Sequence, residues 1–72
     1  MNDIKKEVGN RIKESRKTLG YTQTYVVKIM HMTQQQYSRF ENGIFELSYE
    51  QLIKISQLFE VSVDYLLGIS KF

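Results

Sequence analysis

The sequence predicts an all-α chain, a single domain over 1–72 built from five short helices, and three observations carry that expectation. Proline is absent and glycine occurs only four times in 72 residues, too few breakers for a loop-rich or all-β chain. Apolar residues recur three and four positions apart, the spacing of one helix face. Serine or threonine precedes most of these periodic segments and glycine follows them, which are the start and stop marks of helices.

The first helix is expected from Ile4 to Leu19, with Ile4, Val8 and Ile12 on one face and Gly20 as its stop. Gly9 lies inside it at a cost of about 1 kcal/mol relative to alanine, so a close helix approach there is expected. Thr22 is placed to cap a second helix ending near Met30. Thr33 with Gln36 forms a T-x-x-Q capping box for a third, which Asn42-Gly43 ends. Ser48 with Gln51 repeats the box for a fourth, striped by Leu52, Ile55, Leu58 and Phe59. Ser62 caps a short fifth helix holding Val63, Leu66 and Leu67, closed by Gly68.

Composition excludes several function classes. There is no cysteine, hence no disulfide and no thiolate chemistry, which fits a reducing cytosol. No run approaches the length of a membrane span, and the mixed acidic and basic start does not read as a signal peptide. No metal-ligand cluster, nucleophile–base pair or glycine-rich phosphate loop is visible, so no enzyme, metal, cofactor or small-molecule ligand is expected. The only histidine, His31, reads as a turn residue.

Charge is uneven along the chain. Residues 1–21 set Lys5, Lys6, Arg11, Lys13, Arg16 and Lys17 against Asp3, Glu7 and Glu14, a net +3. Residues 22–43 carry Lys28 and Arg39 against Glu41, a net +1. Residues 44–72 carry Lys54 and Lys71 against Glu46, Glu50, Glu60 and Asp64, a net −2. A positive first half suits one face turned toward a polyanion, and equally an ordinary solvated surface.

The second and third helices are separated by His31 and Met32 alone before the Thr33 cap. Two short helices joined by so brief a turn form a helix-turn-helix unit, whose second helix enters the major groove. In that second helix Tyr37 and Phe40 lie on the side to be buried, leaving Gln34, Gln35, Ser38 and Arg39 outward. Glutamine pairs with adenine through N6 and N7, and arginine with guanine through O6 and N7. Gln23 opens the preceding helix, where free backbone N–H groups suit a phosphate.

Four pieces in order then resemble one family. They are Val8-Gly9-Asn10-Arg11-Ile12-Lys13 with Arg16; Gly20-Tyr21-Thr22-Gln23; Ser38-Arg39-Phe40-Glu41-Asn42-Gly43; and Leu52-Ile53-Lys54-Ile55 with Val61-Ser62-Val63-Asp64-Tyr65-Leu66-Leu67-Gly68. Together they are similar to the Cro/CI-type, lambda-repressor-like (XRE) helix-turn-helix proteins. The resemblance implies a five-helix fold and a cytoplasmic, bacterial or phage-encoded transcriptional regulator that represses from double-stranded DNA. It implies base contacts from Gln34, Gln35, Ser38 and Arg39, and phosphate contacts from Gln23, Thr33, Gln36, Asn42 and Arg16. It also implies a partly buried ion pair of Arg16 with Glu41. The alternative is an antitoxin or antirepressor acting mainly by protein–protein contact.

The chain departs from that pattern at several positions. Val27 replaces a usual alanine between the two helices, and His31 and Glu60 replace usual glycines. After Gly43, the apolar Ile44-Phe45-Glu46-Leu47 replaces a segment usually basic and proline-containing. Apolar side chains on a loop point to a contact surface, so Ile44 and Phe45, with Tyr65, Ile69 and Phe72, are the candidates for a two-fold homodimer. The competing expectation is that Phe45 and Leu47 fold inward. A homodimer would set two reading helices ~34 Å apart on a palindromic site.

Overall fold

A computed structural model describes residues 3–71. Five helices follow in order: α1 (Ile4–Thr18), α2 (Gln23–Met30), α3 (Gln34–Glu41), α4 (Tyr49–Phe59) and α5 (Val63–Leu67). Each starts on a side chain that accepts from a backbone N–H one turn on, replacing a partner the helix lacks at its end. Thr22 accepts from the Tyr25 amide at 3.1 Å, Thr33 from Gln36 at 3.0 Å and Ser62 from Tyr65 at 2.9 Å. Ser48 and Gln51 close a reciprocal box, with bonds of 3.1 and 2.9 Å. At Thr33 the hydroxyl-to-amide half of the expected box is formed. Asp3 caps α1 through Lys6 at 3.3 Å, a start signal that the apolar periodicity of the sequence does not mark.

All five helices feed one core. Ile12 of α1, Val26 and Met30 of α2, Tyr37 and Phe40 of α3, Ile55 and Phe59 of α4 and Leu66 of α5 are buried together. α1 packs mainly on α3 and α5, α2 on α3, and α4 on α5. The α1–α3 approach depends on Gly9. A Cβ there would lie 2.4 Å from the Phe40 carbonyl oxygen and 2.7 Å from that of Glu41, so the helices meet backbone to backbone. Gly43 is needed twice over: its φ is +72°, and a Cβ would fall 2.6 Å from the Lys6 Cα.

The departures in the turns have a clear backbone signature. His31 and Glu60 both sit in the left-handed region, at φ 56° and 55°, where an L-residue other than glycine is strained. His31 is exposed and closes α2, its amide donating to the Val27 carbonyl. Val27 itself is half-buried against the core. His31→Gly should therefore stabilise the fold by about 0.5–1 kcal/mol, the relieved strain outweighing glycine's extra freedom in the unfolded chain. The thermal midpoint should rise by roughly 2–8 °C; a fall would show that the imidazole makes a contact that offsets its strain.

Candidate nucleic-acid interface

The α2–turn–α3 unit presents the outer face of α3. Tyr37 and Phe40 are buried beneath it, while Gln34, Gln35 and Gln36 are exposed and Ser38 and Arg39 half-buried. Thr33, which caps this helix, is exposed beside them.

A chain of hydrogen bonds runs from the interior to this face. Glu41 is 5 % exposed and accepts from Arg16 Nε at 2.6 Å and Nη2 at 3.2 Å. Arg16 Nη1 donates to the Tyr21 carbonyl at 2.8 Å. The Glu41 hydrogen bonds, opposed by desolvation, hold the guanidinium above its ordinary pKa. Gln23 Nε2 donates to Glu41 Oε1 at 3.0 Å, and Gln34 Nε2 donates to Gln23 Oε1. Amide polarity follows from the first link, because a carboxylate only accepts. Gln23 must turn its NH2 to Glu41 and its oxygen to Gln34, and Gln34 must answer as donor. That leaves Gln34 its oxygen and a second N–H, a donor–acceptor pair of the kind adenine's major-groove edge requires.

Other implied phosphate ligands are committed differently. Arg16 is nearly enclosed, its side chain 11 % exposed, with three nitrogens engaged internally. Asn42 Nδ2 donates back to the Ser38 carbonyl at 2.9 Å, and its backbone N–H bonds the same carbonyl at 3.0 Å. Nδ2 also donates to the Ser38 hydroxyl at 3.4 Å, so Asn42 can offer outward only what these two bonds leave over. Beside the Arg16–Glu41 pair, the buried Tyr37 hydroxyl meets no hydrogen-bond partner among the described residues. Burial first, then the Glu41 carboxylate, raises its pKa well above the ordinary tyrosine range.

Several residues of this surface were not singled out in the sequence. Lys6, Asn10 and Lys13 line a shallow cleft with Asn42 at the end of α3, Glu7 and Glu41 completing its wall. The basic excess of the first 21 residues was the available signal, but the crossing of α1 and α3 selects which lysines arrive. Arg39 lies with its guanidinium carbon 5.3 Å from the Phe45 ring centroid.

The dimer candidates are spread apart. Ile44 and Phe45 are exposed by 56 % and 47 % beside α3, and Leu47 turns toward the core. Phe45 borders an apolar cleft of about 160 Å³ whose lining includes Ile4, Val8, Tyr49, Leu52 and Leu67. Tyr65 is half-buried in a different cleft with Leu19, Phe59 and Val61, and Ile69 is 73 % exposed. Phe72 lies outside the described residues. Among those residues, no helix is long and apolar enough to cross a membrane, and no group of three His, Asp or Glu side chains could hold a metal ion.

Residues 12–66 match the family model described as helix-turn-helix (HTH_3). Over 61 residues, 85 % of this chain and 48 % of the relative, the sequence is 36 % identical to the HTH-type transcriptional regulator ImmR of Bacillus subtilis (strain 168). Over 59 residues, 82 % of this chain and 55 % of the relative, it is 36 % identical to an SPbeta prophage-derived uncharacterized HTH-type transcriptional regulator, YonR, of the same organism. The chain spans about half the length of these curated relatives. The family match runs from within α1 into α5 and encloses both helices of the α2–turn–α3 unit. The chain therefore belongs to the XRE-type helix-turn-helix family.

Proposed function

We propose that this chain binds double-stranded DNA through the major groove and regulates transcription in the cytoplasm, as a repressor acting as a homodimer on a palindromic operator. The observation that supports it most is the bonded path Arg16–Glu41–Gln23–Gln34. A solvated surface glutamine has no need of three linked side chains to set its polarity. Gln34, Gln35 and Arg39 read bases, Ser38 adds a contact, Gln23, Thr33, Gln36 and Asn42 face phosphates, and Arg16 adds only what its internal bonds leave over. The relatives' names as transcriptional regulators support the same reading. One module makes few phosphate contacts, so useful affinity calls for a second copy.

Selection of bound sites from random duplexes, with the mass of the complex measured, tests the proposal. A palindromic consensus bound by two chains is the expected result. Arg39→Ala should lose about five- to hundredfold discrimination at one base pair per half-site and keep the fold. Gln23→Ala should weaken every sequence and, because Gln34 leans on Gln23, also relax the base pair that Gln34 reads. The apolar cleft between Phe45 and Leu67 favours a second reading, an antitoxin or antirepressor that works by binding another protein. That reading gains if the wild-type chain enriches no sequence.

A further inference from the structure

Arg39 stands on the outward face of α3, yet it is half-buried. Its guanidinium carbon lies over the ring of Phe45, 5.3 Å from the ring centroid. Among the described residues, no carboxylate reaches ion-pair distance of Arg39, the one such pair being Arg16 with Glu41. Glu46 lines the same open cleft beside α3 without closing on it. The guanidinium therefore lies over an aromatic ring, while its N–H donors remain unspent among the described residues.

This matters because of how a guanidinium recognises a base. Its five donors lie in the plane, as a fork that matches two acceptors side by side, while its faces stack on aromatic rings. A carboxylate partner would fix the side chain by consuming the very donors a guanine edge needs. An aromatic partner fixes it and consumes none. A free arginine also carries about 2 kcal/mol of rotamer entropy, part of which is lost on docking unless lost beforehand.

Phe45, 47 % exposed, lies between two packed neighbours. Gly43 presses against the Lys6 backbone on one side, and Leu47 packs against the core on the other. The two residues bracket Phe45 within the short segment between α3 and α4.

We propose that Phe45 is a positioning residue for base reading: its ring presets the Arg39 guanidinium plane so that the fork meets a guanine in the groove. The segment after α3 thereby contributes to sequence preference without touching a base. The inference rests on the reading that α3 enters the major groove.

Sites are selected from random duplexes with wild type, Arg39→Ala, Phe45→Leu and Phe45→Tyr, all as the full chain. Each protein is then titrated against the selected operator and its single-base-pair variants at one salt concentration. Arg39→Ala identifies the base pair that Arg39 reads. Phe45→Leu should lose about two- to fivefold discrimination at that pair alone, with a melting midpoint close to wild type. Phe45→Tyr should restore it, and in the Arg39→Ala background Phe45→Leu should change nothing further.

An unchanged preference, a loss spread evenly over all base pairs, or the same loss in the Arg39→Ala background would overturn the proposal. So would an Arg39→Ala profile that matches wild type, which leaves the DNA-binding reading intact. Failure of the wild type to enrich any sequence removes that reading and this one together. One measurement needs no variant: in the free protein the Arg39 side-chain protons nearest the ring should show an upfield ring-current shift by NMR. Ordinary shifts would overturn the stacked arrangement whatever the mutants do.

Discussion

Glu41→Ala should destabilise the chain by about 3–5 kcal/mol, the cost of leaving one member of a buried pair without its partner. The carboxylate accepts bonds from Arg16 at 2.6 and 3.2 Å and from Gln23 at 3.0 Å. Its loss strands the enclosed Arg16 guanidinium and releases Gln23. Domains gain roughly 0.05–0.15 kcal/mol per residue on folding, so a chain of 72 residues holds about 4–11 kcal/mol in all. The variant should melt at least about 12 °C below wild type, if it folds at 25 °C at all. The double variant Arg16→Met, Glu41→Leu should recover much of the loss, since a packed apolar pair avoids both desolvation costs. Thermal melts of the single and double variants check this, and equal destabilisation by both would contradict it. DNA binding should not return in the double variant, because Gln23 loses the acceptor that sets its polarity.

Gly9→Ala should cost about 1–2 kcal/mol net although alanine is the better helix former. In an exposed helix the change would gain about 1 kcal/mol. Here the new methyl carbon would stand 2.4 Å from the Phe40 carbonyl oxygen and 2.7 Å from that of Glu41. Both obstacles are backbone atoms at the end of α3, so α1 and α3 must separate rather than one side chain turn aside. Overpacking of this kind typically costs 1–3 kcal/mol, occasionally more, and the helix-propensity gain offsets only part of it. The midpoint should fall by roughly 4–16 °C in a thermal melt. A rise would show that the approach can open freely. Since the displaced element is the end of α3, affinity for the selected operator should fall beyond what the unfolded fraction explains, if α3 reads the operator as proposed.

Much of the site was legible because its marks are local. The Thr33 cap and the Tyr37–Phe40 stripe fall where expected, and with them the side of α3 that faces out. The Arg16–Glu41 pair was implied by family resemblance and is present. The dimer candidates rest on an apolar loop after α3, on the side where relatives pair, and on apolar residues near the C-terminal end, and hydrophobicity carries no direction. Tyr65 and Leu67 are two residues apart on α5, so they point to different sides: Tyr65 toward Phe59 and Val61, and Leu67 to the cleft that Phe45 borders.

What the sequence determined by itself is therefore the set of helices, four of their five caps and most of the buried sides. Those depend on bonds and contacts between residues within a turn of one another, and three to four positions of sequence contain all the partners. The Asp3 cap of α1 is unmarked, and Ile4, expected on the buried face of that helix, is 64 % exposed. Only the tertiary structure decided what α3, beginning at Gln34, leans on. Gln34 finds Gln23 eleven residues earlier, and Glu41 finds Arg16 twenty-five residues earlier. Arg39 finds Phe45 across the turn after Gly43. Polar and aromatic side chains of this kind have many equivalent partners in sequence. Which one they meet is chosen by the crossing of α1, α2 and α3 and by the path of the loop after α3, and those follow from packing the whole core.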